Sequence, residues 1–223
     1  MATALLLTRM PLPRTHFLDL APLTHMPAEK VRLRIGNLAK AVLVSGQAYQ
    51  DPKDALNEFV SNAADGYAEA ERPGGRIRVL LRRKGQRPLI VIEDEGRGMT
   101  PDHLRLVARS LFESAKVDDP RTLGEKAIGI LAYQQLGGRC DIVSRAEDSN
   151  ETHVLRLERG KVTALLEQDR RRARTTPGTS VYLSDLDPEV LRILTPRKHQ
   201  NWTVTGPMTP GHAGRVTPGT PAA

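Results

Sequence analysis

Three polar and glycine-bearing clusters follow one another between Asp54 and Ala132, and they constrain the chain more than anything else in it. The first is Glu58, Asn62 and Asp65. The second is the turn Asp94-Glu95-Gly96-Arg97-Gly98-Met99, and the third is Gly124-Glu125-Lys126-Ala127-Ile128-Gly129. Each stands on a different kind of predicted element.

The first cluster belongs to a helix that starts at Asp51-Pro52. Aspartate can accept hydrogen bonds from the open N–H groups of a first turn, and proline fits the first helical position because its missing donor is not needed there. Leu56, Phe59, Val60, Ala63 and Tyr67 recur at helical spacing and predict a buried stripe. Glu58, Asn62, Asp65 and Glu69 follow i, i+4, i+7, i+11, so they share another face of the same helix.

The second cluster closes a strand. Ile77–Leu81 and Leu89–Glu93 are β-rich runs around Lys84-Gly85-Gln86, a predicted hairpin whose second strand delivers Asp94 into the glycine turn. Thr100-Pro101-Asp102 then caps a helix with Leu104, Val107, Ala108 and Leu111 on its core face. Residues 114–125 are polar and end in glycine, the composition of a mobile lid, and helical periodicity resumes from Ile128 to Leu136. Four strands follow in the sequence pattern: Arg139–Ser144, Thr152–Leu157, Val162–Leu166 and Thr179–Ser184. A short helix then opens at Asp187-Pro188. Upstream, proline spacing predicts an irregular arm over residues 1–30, with a short helix from Val31 to Val44. From Pro196 onward the Pro, Gly and Thr content predicts a disordered tail over 196–223, which leaves 31–195 as one domain.

Composition narrows the class without naming a function. The 223 residues are 39% hydrophobic and 26% charged, as in a globular domain, and no apolar run approaches the roughly 20 residues of a membrane span. The apolar start has no basic region before it, so the expected location is the cytoplasm, with no membrane contact. Cys140 is the single cysteine, which excludes a disulfide framework and a cysteine-rich zinc site. A net charge of +7 and a pI near 9.8 permit contact with nucleic acid or another polyanion without showing it. The run Arg170, Arg171, Arg172 and Arg174 has no interleaved aromatics and reads as a solvated loop.

Taken singly, the clusters have plain readings: a tight turn, a solvated helix face and a flexible joint. Each also has a chemical reading. An aspartate at a strand end followed by Gly-x-Gly presents an acceptor beside backbone free of Cβ obstruction, so a flat heterocycle can approach. Glu58 offers a carboxylate able to orient or deprotonate water, and Asn62, one turn away, an amide oxygen able to ligate Mg²⁺. Gly124–Gly129 leads into a helix whose N–H groups, with Lys126, could cradle phosphates, although no Walker-type Gly-Lys-Ser/Thr is present.

Together and in this order, the motifs resemble the GHKL, or Bergerat-fold, ATPases. This group includes type II topoisomerases, heat-shock chaperones of the ninety-kilodalton class, sensor histidine kinases and MutL-type repair proteins. Asn57–Asp65 is similar to the family's Glu-x-x-x-Asn-x-x-Asp helix, Asp94–Met99 to its Asp-x-Gly-x-Gly-Met turn, Leu123–Gly129 to its lid motif, and Gly178-Thr179 to the Gly-Thr pair that closes the adenine pocket. The resemblance covers about residues 50–185 and implies an α+β fold: a two-layer α/β sandwich, with helices on one face of a mixed, mostly antiparallel sheet.

It further implies ATP and Mg²⁺ as cofactors and a role for each residue. Asp94 would accept the adenine amino group, with an ordered water shared by Thr179; Gly96, Gly98 and Met99 would shape the base pocket. Asn62 would hold Mg²⁺, Asp65 would lie beside it in the nucleotide site, and Glu58 would activate the attacking water in an ATP hydrolase. Gly124, Lys126 and Gly129 would wrap the phosphates as a lid. Ala127 stands where the family has a middle glycine and is expected to take ordinary helical angles. The implied function is a nucleotide-controlled switch that contacts a protein partner or client, or a second copy of itself. The alternatives are a histidine-kinase-like phosphotransferase, for which only His16 and His25 precede the domain, and a non-hydrolysing nucleotide-binding interaction domain.

Overall fold

The computed structural model describes residues 26–32, 51–71, 74–82, 87–110, 129–194, 201–205 and 215–218. Helix α1 (Pro52–Glu69) starts where the sequence predicts. The Asp51 side chain accepts the Lys53 N–H at 2.9 Å, and its carbonyl accepts from Asp54 and Ala55. Strands β2 (Arg76–Arg82) and β3 (Leu89–Glu93) pair antiparallel, with Val79 opposite Ile92. Helix α2 (Pro101–Ser110) is capped by Thr100, whose hydroxyl accepts the His103 N–H at 3.2 Å.

Leu131–Gln135 forms a 3₁₀ turn rather than the α-helix expected there. Its buried Leu131, Ala132 and Tyr133 follow one another directly, which suits three residues per turn better than a one-sided α-helix. Strands β4 (Gly137–Arg145), β5 (His153–Glu158), β6 (Thr163–Gln168) and β7 (Gly178–Leu186) and helix α3 (Pro188–Ile193) lie where alternation and the Asp187-Pro188 signal place them.

Two further segments differ from expectation. Glu29–Arg32 is a strand, β1, paired with β6, so Val31 and Arg32 do not begin a helix. Val31 is buried opposite Ala164 while its neighbours Lys30 and Arg32 face outward, an alternation that suits a strand. The rest of the expected helix lies outside the described residues. Within the segment expected to be a disordered tail, Asn201–Thr205 (β8) pairs with β2, and Arg215–Pro218 (β9) pairs with β8. Asn-Trp-Thr-Val-Thr is rich in β-formers, and the β2 edge offers it unpaired backbone groups.

The strands form one sheet in the order β1-β6-β5-β4-β7-β3-β2-β8-β9, and every described pairing is antiparallel. Cross-strand neighbours put Val79, Ile92, Val181, Ile142, Leu155 and Leu166 in a continuous row on one face. That face packs against Phe59, Val60, Ala63 and Tyr67 of α1 and Leu104 and Ala108 of α2. Helix α1 covers β2, β3 and β7, while α2 covers β1, β5 and β6. The fold is thus an α+β two-layer sandwich with its core between the helices and one sheet face.

The other face mixes charged residues with the buried Val91, Val143 and Val154 and is covered in part by the loop after β6. Asp141, only 4% exposed, receives Arg139 at 2.9 Å, Arg156 at 3.2 Å and Arg172 at 3.0 Å. Burial pushes the Asp141 carboxyl up, but these guanidinium groups hold it below the ordinary range. The arginine run is therefore not a uniformly solvated loop. Arg170 and Arg171 are exposed, whereas Arg172 also stacks 4.8 Å from the Tyr182 ring centre and Arg174 reaches inward to the end of β3.

Candidate functional site

The chain leaves β3 at Asp94, whose N–H continues the ladder by donating to the Thr179 carbonyl at 2.9 Å. Asp94 Oδ1 accepts from the Gly96 N–H at 2.9 Å and the Thr179 N–H at 3.1 Å. The other carboxylate oxygen has no hydrogen-bond partner among the described residues, and Asp94 lines a cavity. Burial raises the carboxyl from 3.8 to about 6, against the pull of the two N–H groups and of Arg174. Above that pH the buried group is an anion that can only accept hydrogen bonds.

The surrounding backbone is close-packed. Gly98 has φ of 69°, and a Cβ there would lie 1.9 Å from the Arg145 carbonyl oxygen; Gly178 has φ of 125°, and its Cβ would lie 2.4 Å from the Asp94 carbonyl oxygen. Both positions need glycine for conformation and for space. Gly96 is buried in the same turn and serves through its N–H. From behind, Arg174 donates to the Asp94 carbonyl at 2.6 Å and bonds the Ser180 hydroxyl, fastening the ends of β3 and β7 together. Tyr67, which reads in the sequence as one more apolar residue of α1, donates its hydroxyl to the Arg76 carbonyl at 2.6 Å and accepts the Glu95 N–H at 2.7 Å.

Thr179 faces the cavity beside Asp94, and directly across from it on β4 stands Ser144, fully buried. Ser144 Oγ accepts the Met99 N–H at 2.8 Å, lies 3.0 Å from Thr179 Oγ1 and donates toward the Gly178 carbonyl at 3.1 Å. It joins the second cluster to the Gly-Thr pair. Sequence inspection passes over it, because its only local signal is a small polar residue at an inward position of an apolar strand.

The cavity has a volume of about 190 Å³ and an apolar lining that includes Phe59, Ile92, Val107, Ile130, Ile142 and Val181. Asn62, Asp65, Asp94, Gly98, Met99 and Thr179 line it as well, so six of the residues singled out in the sequence meet here. It is smaller than the roughly 300–1,000 Å³ pockets of drug-sized ligands, a size for a flat ring system with the rest of a ligand outside. Glu58 lies one turn along α1 from Asn62. Gly129 sits against both: a Cβ built on it would be 2.8 Å from Glu58 Oε2 and 3.6 Å from Asn62 Nδ2. Gly129, the last residue of the third cluster, therefore meets the first. Gly124, Lys126 and Ala127 lie outside the described residues, so the lid contacts and the backbone angles of Ala127 are not part of this geometry.

A larger groove of about 1090 Å³ lies behind Asp94 on the other face of the sheet, lined by Arg76, Arg78, Glu93, Arg172, Arg174 and Tyr182 among others. It is open, and several of its charges already satisfy one another, as Arg78 does Glu93 at 2.7 Å. The smaller cavity, where one Asp94 oxygen has no partner among the described residues above an apolar floor, is the better-formed ligand site.

Residues 49–177, more than half of the chain, match the family described as histidine kinase-, DNA gyrase B- and HSP90-like ATPase. The DNA mismatch repair protein MutL of Agrobacterium fabrum is 30% identical over 147 residues, 65% of this chain and 22% of that protein. The signal transduction histidine-protein kinase/phosphatase MprB of Mycolicibacterium smegmatis is 29% identical over 119 residues, 53% of this chain and 24% of its own length. The sensor protein SrrB of Staphylococcus aureus is 24% identical over 110 residues, 47% of this chain and 18% of its own. The chain thus spans less than a quarter of each of these relatives. From the matched residues and the fold that carries them, the chain belongs to the histidine kinase-, DNA gyrase B- and HSP90-like ATPase family.

Proposed function

We propose that the chain binds ATP with Mg²⁺ in the cavity below Asp94 and hydrolyses it slowly, the nucleotide state controlling contacts with a protein partner or a second copy. The observation that carries this reading is the meeting of two parts: the acceptors Asp94 and Thr179 at the head of a base-sized cavity, and the Glu58–Asn62 face of α1 at its side.

The residues fit the ligand. Asp94, anionic above about pH 6, accepts an exocyclic amine, and the apolar floor takes the two faces of the ring. Phosphates leaving the cavity along α1 reach Asn62, whose amide oxygen suits a hard cation. Among the described residues no group of three or more His, Cys, Asp or Glu could hold a metal, and Asn62 is the residue that would hold Mg²⁺ beside the phosphates. Such an ion neutralises phosphate charge when bound. Glu58 orients and deprotonates the attacking water, and Gly129, lacking a side chain, lets the following helix close against Glu58 and Asn62. The resemblance adds a lid over residues 114–125 with Gly124 and Lys126 on the phosphates, a part of the scheme that lies outside the described residues.

Glu58→Ala is expected to abolish phosphate release from MgATP while leaving ATP affinity within about threefold of wild type, since Glu58 does not line the base cavity. Unchanged turnover removes Glu58 from the mechanism. The similarity to MprB and SrrB keeps a phosphotransferase reading in play. Incubation with γ-labelled ATP separates the two: free phosphate supports hydrolysis, and label retained on protein supports transfer. Absence of both products with ATP still bound supports a non-hydrolysing interaction domain.

A further inference from the structure

We propose that Ser144 is a positioning residue that fixes the hydroxyl proton of Thr179 and thereby makes the head of the cavity select amino-purines over oxo-purines. The proposal rests on the nucleotide-binding reading above and adds to it a specificity device.

The argument is a count of protons and lone pairs. A serine hydroxyl has one proton and two acceptor sites. One acceptor site of Ser144 is taken by the Met99 N–H at 2.8 Å. The Gly178 carbonyl, 3.1 Å away, can only accept, and the proposal assigns the Ser144 proton to it. What remains on Ser144 is a single lone pair, and 3.0 Å from it lies Thr179 Oγ1. Two hydroxyl oxygens at that separation are held by one proton between them, and with the Ser144 proton assigned to Gly178 it comes from Thr179. Ser144 has no solvent to offer an alternative, being 0% exposed.

The consequence reaches the ligand. With its proton turned toward β4, Thr179 presents only lone pairs to the cavity. The Thr179 N–H is likewise committed, to Asp94 Oδ1. Beside it the remaining Asp94 oxygen is also an acceptor. The head of the cavity is therefore an all-acceptor edge, complementary to the N–H donors of an exocyclic amine and repulsive to a carbonyl oxygen at the same place. Adenine carries the amine. Hypoxanthine, the same bicycle with a carbonyl there, does not.

The test is a calorimetric titration of the whole chain with ATP and with inosine triphosphate, in wild type, Ser144→Ala, Thr179→Val and the double variant. Wild type is expected to prefer ATP. Ser144→Ala is expected to lower the ATP-to-ITP affinity ratio by about tenfold, the order of one hydrogen bond, chiefly through weaker ATP binding. Thr179→Val is expected to lower the ratio comparably, and adding Ser144→Ala to it to change the ratio no further, because the effect passes through the Thr179 hydroxyl. Equal weakening of both nucleotides in Ser144→Ala, with the ratio preserved, overturns the proposal and leaves Ser144 a structural support for Met99. A wild-type ratio in Thr179→Val overturns it whether or not Ser144→Ala folds. Wild-type protein that binds neither nucleotide overturns the nucleotide reading and this proposal together, whereas an ATP-to-ITP affinity ratio in Ser144→Ala equal to that of wild type overturns this proposal alone.

Discussion

Replacing Asp94 by asparagine is expected to make the empty protein more stable while removing its ligand. Asp94 is 8% exposed, and its carboxyl is carried from 3.8 to about 6 by burial. Each tenfold change in proton affinity corresponds to about 1.4 kcal/mol, so ionising this group inside the fold costs about 3 kcal/mol more than in the unfolded chain. Between pH 3.8 and about 6 the folded state holds a proton that the unfolded state has lost, so stability falls as pH rises through that window and stays lowered above it. Asparagine keeps the shape and the oxygen that accepts from Gly96 and Thr179, without the charge. Its amide is still a buried polar group, so the expected gain at pH 8 is about 1–3 kcal/mol. Urea denaturation of both proteins from pH 4 to 8 measures it. The difference should be flat above about pH 6.5 and shrink toward zero near pH 4, while carboxylates common to both proteins cancel. Lower stability of Asp94→Asn at pH 8, or a difference that does not narrow with acid, refutes the reasoning. ATP binding should be lost in the same variant, since the amide N–H₂ turns a donor toward the ligand's amine. Stability given up for binding is the expected signature of a site.

Two further perturbations separate structure from ligand chemistry. Asp141→Ala strips the shared partner from Arg139, Arg156 and Arg172 and should destabilise the fold by about 3 kcal/mol in urea denaturation with ATP affinity unchanged. Because the folded carboxyl is held low, this contribution is present above the ordinary carboxylate range and is lost as pH falls through the lowered value; a pH-independent deficit down to pH 2 would contradict it. Gly98→Ala combines a left-handed backbone with a Cβ 1.9 Å from the Arg145 carbonyl, and should cost at least about 2 kcal/mol and abolish ATP binding. A variant with wild-type melting and wild-type affinity would show that the turn relaxes freely.

What was legible in the sequence was what local chemistry determines. The Asp51-Pro52 start, the two faces of α1 and the strand running into Asp94-Glu95-Gly96 depend on residues within one or two turns, and the structure has them in place. Thr179 was found only through the resemblance, since nothing near it in sequence marks a base pocket. Ser144 was missed because its partners Met99 and Thr179 are 45 and 35 residues away and meet it only when β4 pairs with β7. Tyr67 carried the right apolar spacing, and its hydroxyl found work at the Arg76 and Glu95 backbone that spacing does not encode. The arginine run looked solvated for the same reason: the acceptors of Arg172 and Arg174 include Asp141 and the Asp94 carbonyl, both remote in sequence and brought close by the sheet. Val31 misled because a four-residue strand is too short to separate period two from a helical period, and pairing with β6 decided it.

The central claim is that the cavity below Asp94 holds the base of ATP. Isothermal titration of the wild-type chain and of Asp94→Asn with MgATP tests it most directly, with circular dichroism showing both folded. The account predicts saturable one-to-one binding by wild type and none by the variant at the same concentrations. No binding by wild type, or equal binding by both proteins, would contradict it.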